Sequence, residues 1–253
     1  MDWEKELYRT DEKPLDNLVE GYSNTSIFRK VAFVGDSLSS GEFEVRDKDD
    51  KPKYFDMYEY SWGQYMARKN GFLAYNFSKG GMTAKEYMES FAEDRGFWDM
   101  DKSCQAYVIA MGVNDIFGRG MEVGTVDDIG TEKDTYIRYY GDIVRRYKEI
   151  SPDAKFFFVG FPKDRFSKDN PEAAKAIKQL YKMTEYFENS YMIDLYRYGP
   201  EYDEKFRDNF NLYGHMNPMG YIFTAKLIDS YIDYIIRHNP DDFKAVGLIG
   251  VEY

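Results

Sequence analysis

Cysteine is nearly absent from this chain of 253 residues, which has one, Cys104. A single thiol excludes an internal disulfide framework and a cysteine-rich metal site. Its place beside the apolar run Ala106 to Met111 makes it a small, partly buried filler. Histidine is almost as scarce, with only His215 and His238. Neither belongs to a His-Glu-x-x-His pair, so no metal and no cofactor is expected. No apolar run is long enough to span a bilayer. The start, Met1-Asp-Trp-Glu-Lys-Glu, lacks the regions of a signal peptide, so the chain as it stands is expected in the cytoplasm, or outside the cell if a leader has been removed. Positive charge is also short: 34 Lys and Arg face 45 Asp and Glu, a net charge of −11. That sets aside nucleic acid and an anionic membrane surface as partners, because phosphates demand clustered cations.

What is present is a regular alternation. Strand-like apolar runs occur at Lys30 to Gly35, Phe72 to Phe77, Ala106 to Met111, Lys155 to Gly160 and Tyr191 to Leu195. Helical spacing fills the intervals from Tyr58 to Asn70, Thr83 to Glu93, Glu132 to Ile150 and Pro171 to Phe187. A last helix spans Pro218 to Arg237, with Asn217 as its cap and proline at its first position. Strands alternating with helices imply parallel βαβ units with right-handed crossovers. The expected fold is α/β, a three-layer α/β/α sandwich around a central, mostly parallel five-stranded sheet. No linker divides the chain, so residues 1–253 read as one domain, with 1–29 as an N-terminal extension packed on it. Two connections are long, Glu42 to Tyr58 and Phe117 to Thr131, and both follow a strand's C-terminal end, where they can wall a pocket. The middle of the first, within "EVRDKDDKPKYFD", reads as a solvated excursion.

Four polar blocks interrupt the pattern at strand ends or helix starts: "GDSLSSG" from Gly35, "NFSKGGMT" from Asn76, "GVND" from Gly112 and "GHMNPMGY" from Gly214. In a parallel sheet such positions gather along one edge. Taken singly, Ser37 is a turn serine, Gly81 a glycine for positive φ, Asn114 a cap and His215 a buried histidine. Together, and in this order over nearly the whole chain, the blocks resemble those of the SGNH (GDSL-like) hydrolase superfamily.

That resemblance implies a flavodoxin-like sheet and a serine esterase. Ser37 corresponds to the nucleophile and His215 to its base, since a serine hydroxyl is inert until its proton is taken. The oxyanion hole would comprise the backbone N–H of Ser37, the backbone N–H of Gly81 and the side-chain amide of Asn114. Gly81 is chosen over Gly80 because Gly81-Met82-Thr83 fits the family's Gly-x-Thr/Ser pattern. Asp36 and Asp115 are assigned to holding the loops, and His238 to the C-terminal dipole of the last helix. The sequence departs from the family at one place. Where an acid usually stands three residues before the histidine, this chain has Leu212. Three explanations compete: a Ser-His dyad whose imidazole bonds a backbone carbonyl such as that of Leu212, an orienting group such as Asp208, or lost activity. The carbonyl-supported dyad is preferred.

The expected substrate is a small-molecule or carbohydrate ester carrying a short acyl group, acetyl foremost. Aromatic residues make up 18% of the chain, with 24 tyrosines. They also serve the core, but as exposed surfaces they suit sugars. A basic amphipathic helix and a long apolar lid, marks of a lipid substrate, are missing. The alternatives are a lipid or lysophospholipid acylhydrolase of the same fold and a catalytically weak carbohydrate-binding relative. A phosphate-binding loop at "GDSLSSG" is disfavoured, because the Gly-x-x-x-x-Gly-Lys-Ser/Thr signature is missing.

Overall fold

The computed structural model describes residue 2 and residues 11–251. Among the described residues, nine strands fall into three sheets. The central sheet holds β1 (Lys30–Gly35), β4 (Leu73–Ser78), β5 (Ala106–Ala110), β6 (Lys155–Gly160) and β7 (Ser190–Asp194), in the order β4-β1-β5-β6-β7. Every neighbouring pair is parallel. These strands coincide with the apolar runs of the sequence to within a residue at each end.

Why both sheet faces are covered is visible in the alternation of side chains. In β1, Ala32 and Val34 enter one core while Val31 and Phe33 enter the other. Tyr107 and Ile109 alternate in the same way with Ala106 and Val108, and Phe156 and Phe158 with Phe157 and Val159. A strand apolar at every position can satisfy this pattern only between two layers of helices. On one face lie α3 (Tyr136–Ile150) and α4 (Pro171–Tyr186), on the other α2 (Trp62–Asn70) and α6 (Pro218–His238). Asn217 caps α6 by accepting the Gly220 N–H, with Pro218 at its first turn, as the sequence predicts. The helix after β4 differs from a plain α-helix, because its middle, Tyr87–Phe91, is a π-type stretch between Ala84–Glu86 and Ala92–Asp94.

Residues 1 and 3–10 of the expected N-terminal extension lie outside the described residues. The remainder packs on α6 and α2. The Ser230 hydroxyl accepts the Val19 N–H at 2.9 Å, and Ser23 bonds Asp229 and Asn70. Arg237 pairs with Glu12. Among the described residues no helix is long and apolar enough to cross a membrane.

One part of the architecture was not expected. The connection after β1 carries a two-stranded antiparallel hairpin, β2 (Glu42–Arg46) and β3 (Pro52–Asp56), which stands apart from the central sheet. Its turn is exposed, as a solvated excursion should be. Asp47 builds that turn, its carboxylate accepting the N–H groups of Asp49 and Lys51. Its root is buried. The strand order also reverses at β1: the chain passes from β1 to β4 on one side, then over to β5 on the other. Open α/β sheets place their ligand crevice at the C-terminal ends flanking such a reversal.

Candidate active site

Ser37 opens α1 (Ser37–Ser40) immediately after β1. Asp36 caps this short helix by accepting the Leu38 N–H at 3.1 Å, which fixes the turn that presents the serine. Burial raises the Asp36 pKa to about 6, against the opposing pull of the Leu38 N–H and of His215. Asp36 also faces the Asn114 amide, with Oδ2 and Nδ2 3.5 Å apart. Asn114 sits in a π-type turn, Val113–Gly118, that leaves the end of β5. Its amide also donates to the Met82 carbonyl at 3.0 Å, so the longer contact, to Asp36, is the one an incoming acceptor can displace. The neighbouring Asp115 accepts the Ala84 N–H at 2.9 Å, joining this block to the one after β4. Both aspartates therefore hold loops.

The two glycines after β4 have different surroundings. Gly81 has φ +73 and open space where a side chain would be, so its restriction is the left-handed backbone alone. Gly80 has none of that freedom to lose. A Cβ there would collide with the carboxylate of Glu42, so Gly80 is required for Glu42 to approach.

His215 begins β9 (His215–Met216), paired with β8 (Asn211–Leu212) in a hairpin that turns through Tyr213 and Gly214. Its ring lies between two carboxylates of β2. Nε2 is 3.0 Å from Glu42 Oε1, and Nδ1 is 3.6 Å from Glu44 Oε2. The first is a hydrogen bond. The second is an ion-pair contact too long to be one, and Nδ1 is buried with no hydrogen-bond partner. Burial alone would lower the imidazole pKa, but the hydrogen bond and charge of Glu42, then the nearby charge of Glu44, outweigh it and leave the pKa raised.

Neither orienting group read from the sequence takes this place. Asp208 is exposed on α5 (Glu204–Phe210), and Leu212 is only the cross-strand neighbour of His215. The reason is register. Alternation along β2 turns Glu42 and Glu44 to one face, and that face lies against the β8–β9 hairpin. The Gly214 N–H donates to Glu44 Oε2 at 2.9 Å, and Arg46 pairs with Glu44 Oε1 at 2.8 Å. The hairpin root is anchored from three sides. Tyr221 of α6 donates to the Glu42 carbonyl at 2.6 Å, the Met57 N–H donates to Gly41, and the Ser40 hydroxyl lies between the Ser37 carbonyl and the Asp56 carboxylate. The polar-apolar alternation Glu42-Phe43-Glu44-Val45 was the legible sign of this strand, and the run of charges after it obscured it.

These contacts join all four blocks. Glu42, five residues after Ser37, touches both His215 and Gly80, and Asn114 reaches Asp36 and Met82. The Ser37 hydroxyl is not bonded to His215, whose Nε2 is held by Glu42. Beneath the blocks lies an apolar cavity of about 60 Å³, lined by Leu38, Met111, Val113, Phe161 and Met216 among others. Among the described residues no group of three or more His, Cys, Asp or Glu could hold a metal ion. His238 lies far along α6 from His215, stacked on Tyr234 with Nδ1 2.8 Å from that residue's carbonyl oxygen. Cys104 is buried, and burial pushes its thiol up to about 12.

Comparison with known proteins agrees with this layout. A profile described as GDSL-like Lipase/Acylhydrolase family matches residues 33–222. Among solved structures, one similar to this chain is a carbohydrate esterase family 2 enzyme with a carbohydrate-binding domain from Corynascus thermopiles (Myceliophthora fergusii). The TM-score is 0.56 at 15% identity, covering 82% of this chain and 66% of that one. A family 3 carbohydrate esterase from Clostridium thermocellum matches with TM-score 0.56 at 13% identity, covering 83% and 97%. A family two carbohydrate esterase from the same organism, in complex with cellohexaose, matches with TM-score 0.55 at 16% identity, covering 91% and 66%. At these identities the likeness is one of fold. No curated protein matches the chain.

Proposed function

The chain belongs to the GDSL-like lipase/acylhydrolase family, and from that premise we propose that it is a serine esterase removing short acyl groups, acetyl foremost, from carbohydrate. The observation that carries this reading is the clamping of His215 by Glu42 and Glu44 at the sheet edge that bears Ser37, Gly81 and Asn114. The acid lacking at position 212 is replaced from β2.

In this reading Ser37 Oγ attacks the ester carbonyl carbon and its proton passes to Nε2 of His215. The carbonyl π electrons move to oxygen, and the N–H groups of Ser37, Gly81 and Asn114 receive the charge. Collapse breaks the bond to the sugar oxygen, which takes the proton from the imidazolium. Water then repeats the sequence on the acyl-serine, giving a carboxylic acid and free Ser37. Glu42 must first yield Nε2 to the serine. As it does so, a small movement of the ring closes the 3.6 Å gap between Nδ1 and Glu44, and Glu44 then orients the base as the acid of a triad does. Catalytic hydrogen bonds that tighten only on substrate binding are common.

A short acyl group is supported by the cavity beside the serine, whose lining includes its neighbours Asp36 and Leu38 but not Ser37 itself. Its 60 Å³ is less than half of the roughly 150 Å³ that accommodates benzene, too little for a long chain. Sugar as the alcohol part is suggested by the exposed tyrosines beside His215 and, by analogy of fold, by the carbohydrate esterases. A p-nitrophenyl ester series from acetyl to decanoyl tests the acyl part. Turnover should be highest at the short end and drop beyond butyryl, whereas activity rising with length would support the lipid acylhydrolase alternative.

A further inference from the structure

Around His215, the outer face of the two hairpins carries aromatic rings that contribute little to packing. Tyr54, opposite Glu44 in the β2–β3 register, is 52% exposed, and its ring meets the His215 imidazole edge-on at 5.6 Å. Tyr213, at the β8–β9 turn, is 56% exposed, with the Arg46 guanidinium over its ring at 5.1 Å. Between them lies the Glu44–Arg46 pair. Among the described residues neither tyrosine hydroxyl is bonded within the chain.

The backbone sharpens the question. Tyr213 has φ +57, a left-handed conformation in which a bulky aromatic residue is an outlier and glycine or asparagine is usual. The two-residue hairpin turn accounts for the positive φ but not for a tyrosine there, whose ring lies mostly in solvent beside the Arg46 guanidinium. Such strain is characteristically kept where the side chain has another use.

We infer that Tyr54 and Tyr213 form a stacking platform for a sugar ring of the substrate's alcohol part, with Arg46 supplying donors to its hydroxyls. This inference rests on the esterase reading, since it places the sugar beside the base that reprotonates the leaving oxygen. The chemistry of the patch selects a neutral glycan over a lipid surface. The rings carry hydroxyls and alternate with an ion pair, so they offer no continuous apolar face. The adjoining turn, Asp47-Lys48-Asp49-Asp50-Lys51, mixes both signs and offers no cationic cluster to an anionic membrane.

The test compares p-nitrophenyl acetate with acetylated cellohexaose and acetylated xylohexaose on wild type, Tyr54→Ala, Tyr54→Phe and Tyr213→Asn. Tyr54→Ala and Tyr213→Asn should lose at least about tenfold more kcat/KM on an acetylated hexaose than on p-nitrophenyl acetate, mainly through KM. Tyr54→Phe should recover most of the loss. Because asparagine tolerates the left-handed backbone, Tyr213→Asn should also raise Tm by about 2–4 °C. Equal losses on all substrates, or a lowered Tm, would make these residues structural supports and overturn the platform. A calorimetric titration of Ser37→Ala with unacetylated cellohexaose and xylohexaose separates the platform from the chemistry. Binding abolished by adding Tyr54→Ala sustains the platform even if no ester is turned over. Binding of neither hexaose overturns it even if esters are.

Discussion

At the scale of single residues, His215 matters most, because its chemistry is set by neighbours on another element. In the proposed esterase its raised pKa means that a larger share of the molecules carry a protonated, inactive base at a given acidic pH. The acid limb of kcat/KM should therefore lie above the ordinary histidine value of about 6.5. Glu42→Gln removes the main raising contribution, so that limb should move to lower pH, as a pH-rate profile would show. Glu44→Gln should lower kcat by about 10² or more, because Nδ1 loses the carboxylate that would orient the ring. Asp115 allows a stability test. Burial raises its pKa to about 7 from 3.8, and Oδ2 has no hydrogen-bond partner. A carboxyl raised in this way stabilises the fold in full below its unfolded pKa, and that contribution is lost as pH rises through about 7. Thermal melts from pH 5 to pH 8 should show Tm falling in wild type and falling less in Asp115→Asn.

At the scale of elements, the β2–β3 hairpin brings two carboxylates to His215, and in the proposed esterase these do what the missing acid would have done. Tyr221 ties it to α6 by a buried bond to the Glu42 carbonyl. Tyr221→Phe leaves that carbonyl unpaired, which costs about 1–3 kcal/mol. It should lower Tm and kcat together, whereas a conservative change far from the hairpin would move Tm alone. The five central strands and the capped helix α6 were legible in the sequence, because buried parallel strands are continuous apolar runs and Asn217-Pro218 is a local start signal. The blocks at Ser37, Gly81, Asn114 and His215 were legible for the same reason, each being a turn that ends a strand or opens a helix. The hairpin was hidden. Its two carboxylates look solvated in a charge-rich segment, and only the three-dimensional approach of β9 turns them into partners of an imidazole. Pairing between segments some 170 residues apart leaves no local trace, so the support for His215 was sought nearby, at Leu212 and Asp208.

At the scale of the whole molecule, one parallel sheet brings a serine, an amide, a glycine and a histidine to the edge where its strand order reverses, and a hairpin supplies the carboxylates. The central claim is that this edge is a serine esterase centre with Ser37 as nucleophile. Its most direct test is the hydrolysis rate of p-nitrophenyl acetate by wild type and Ser37→Ala, with circular dichroism confirming that both are folded. Turnover by wild type and a loss of about 10³-fold or more in the variant is the expected result. A folded Ser37→Ala variant that hydrolyses the ester as fast as wild type would contradict the account.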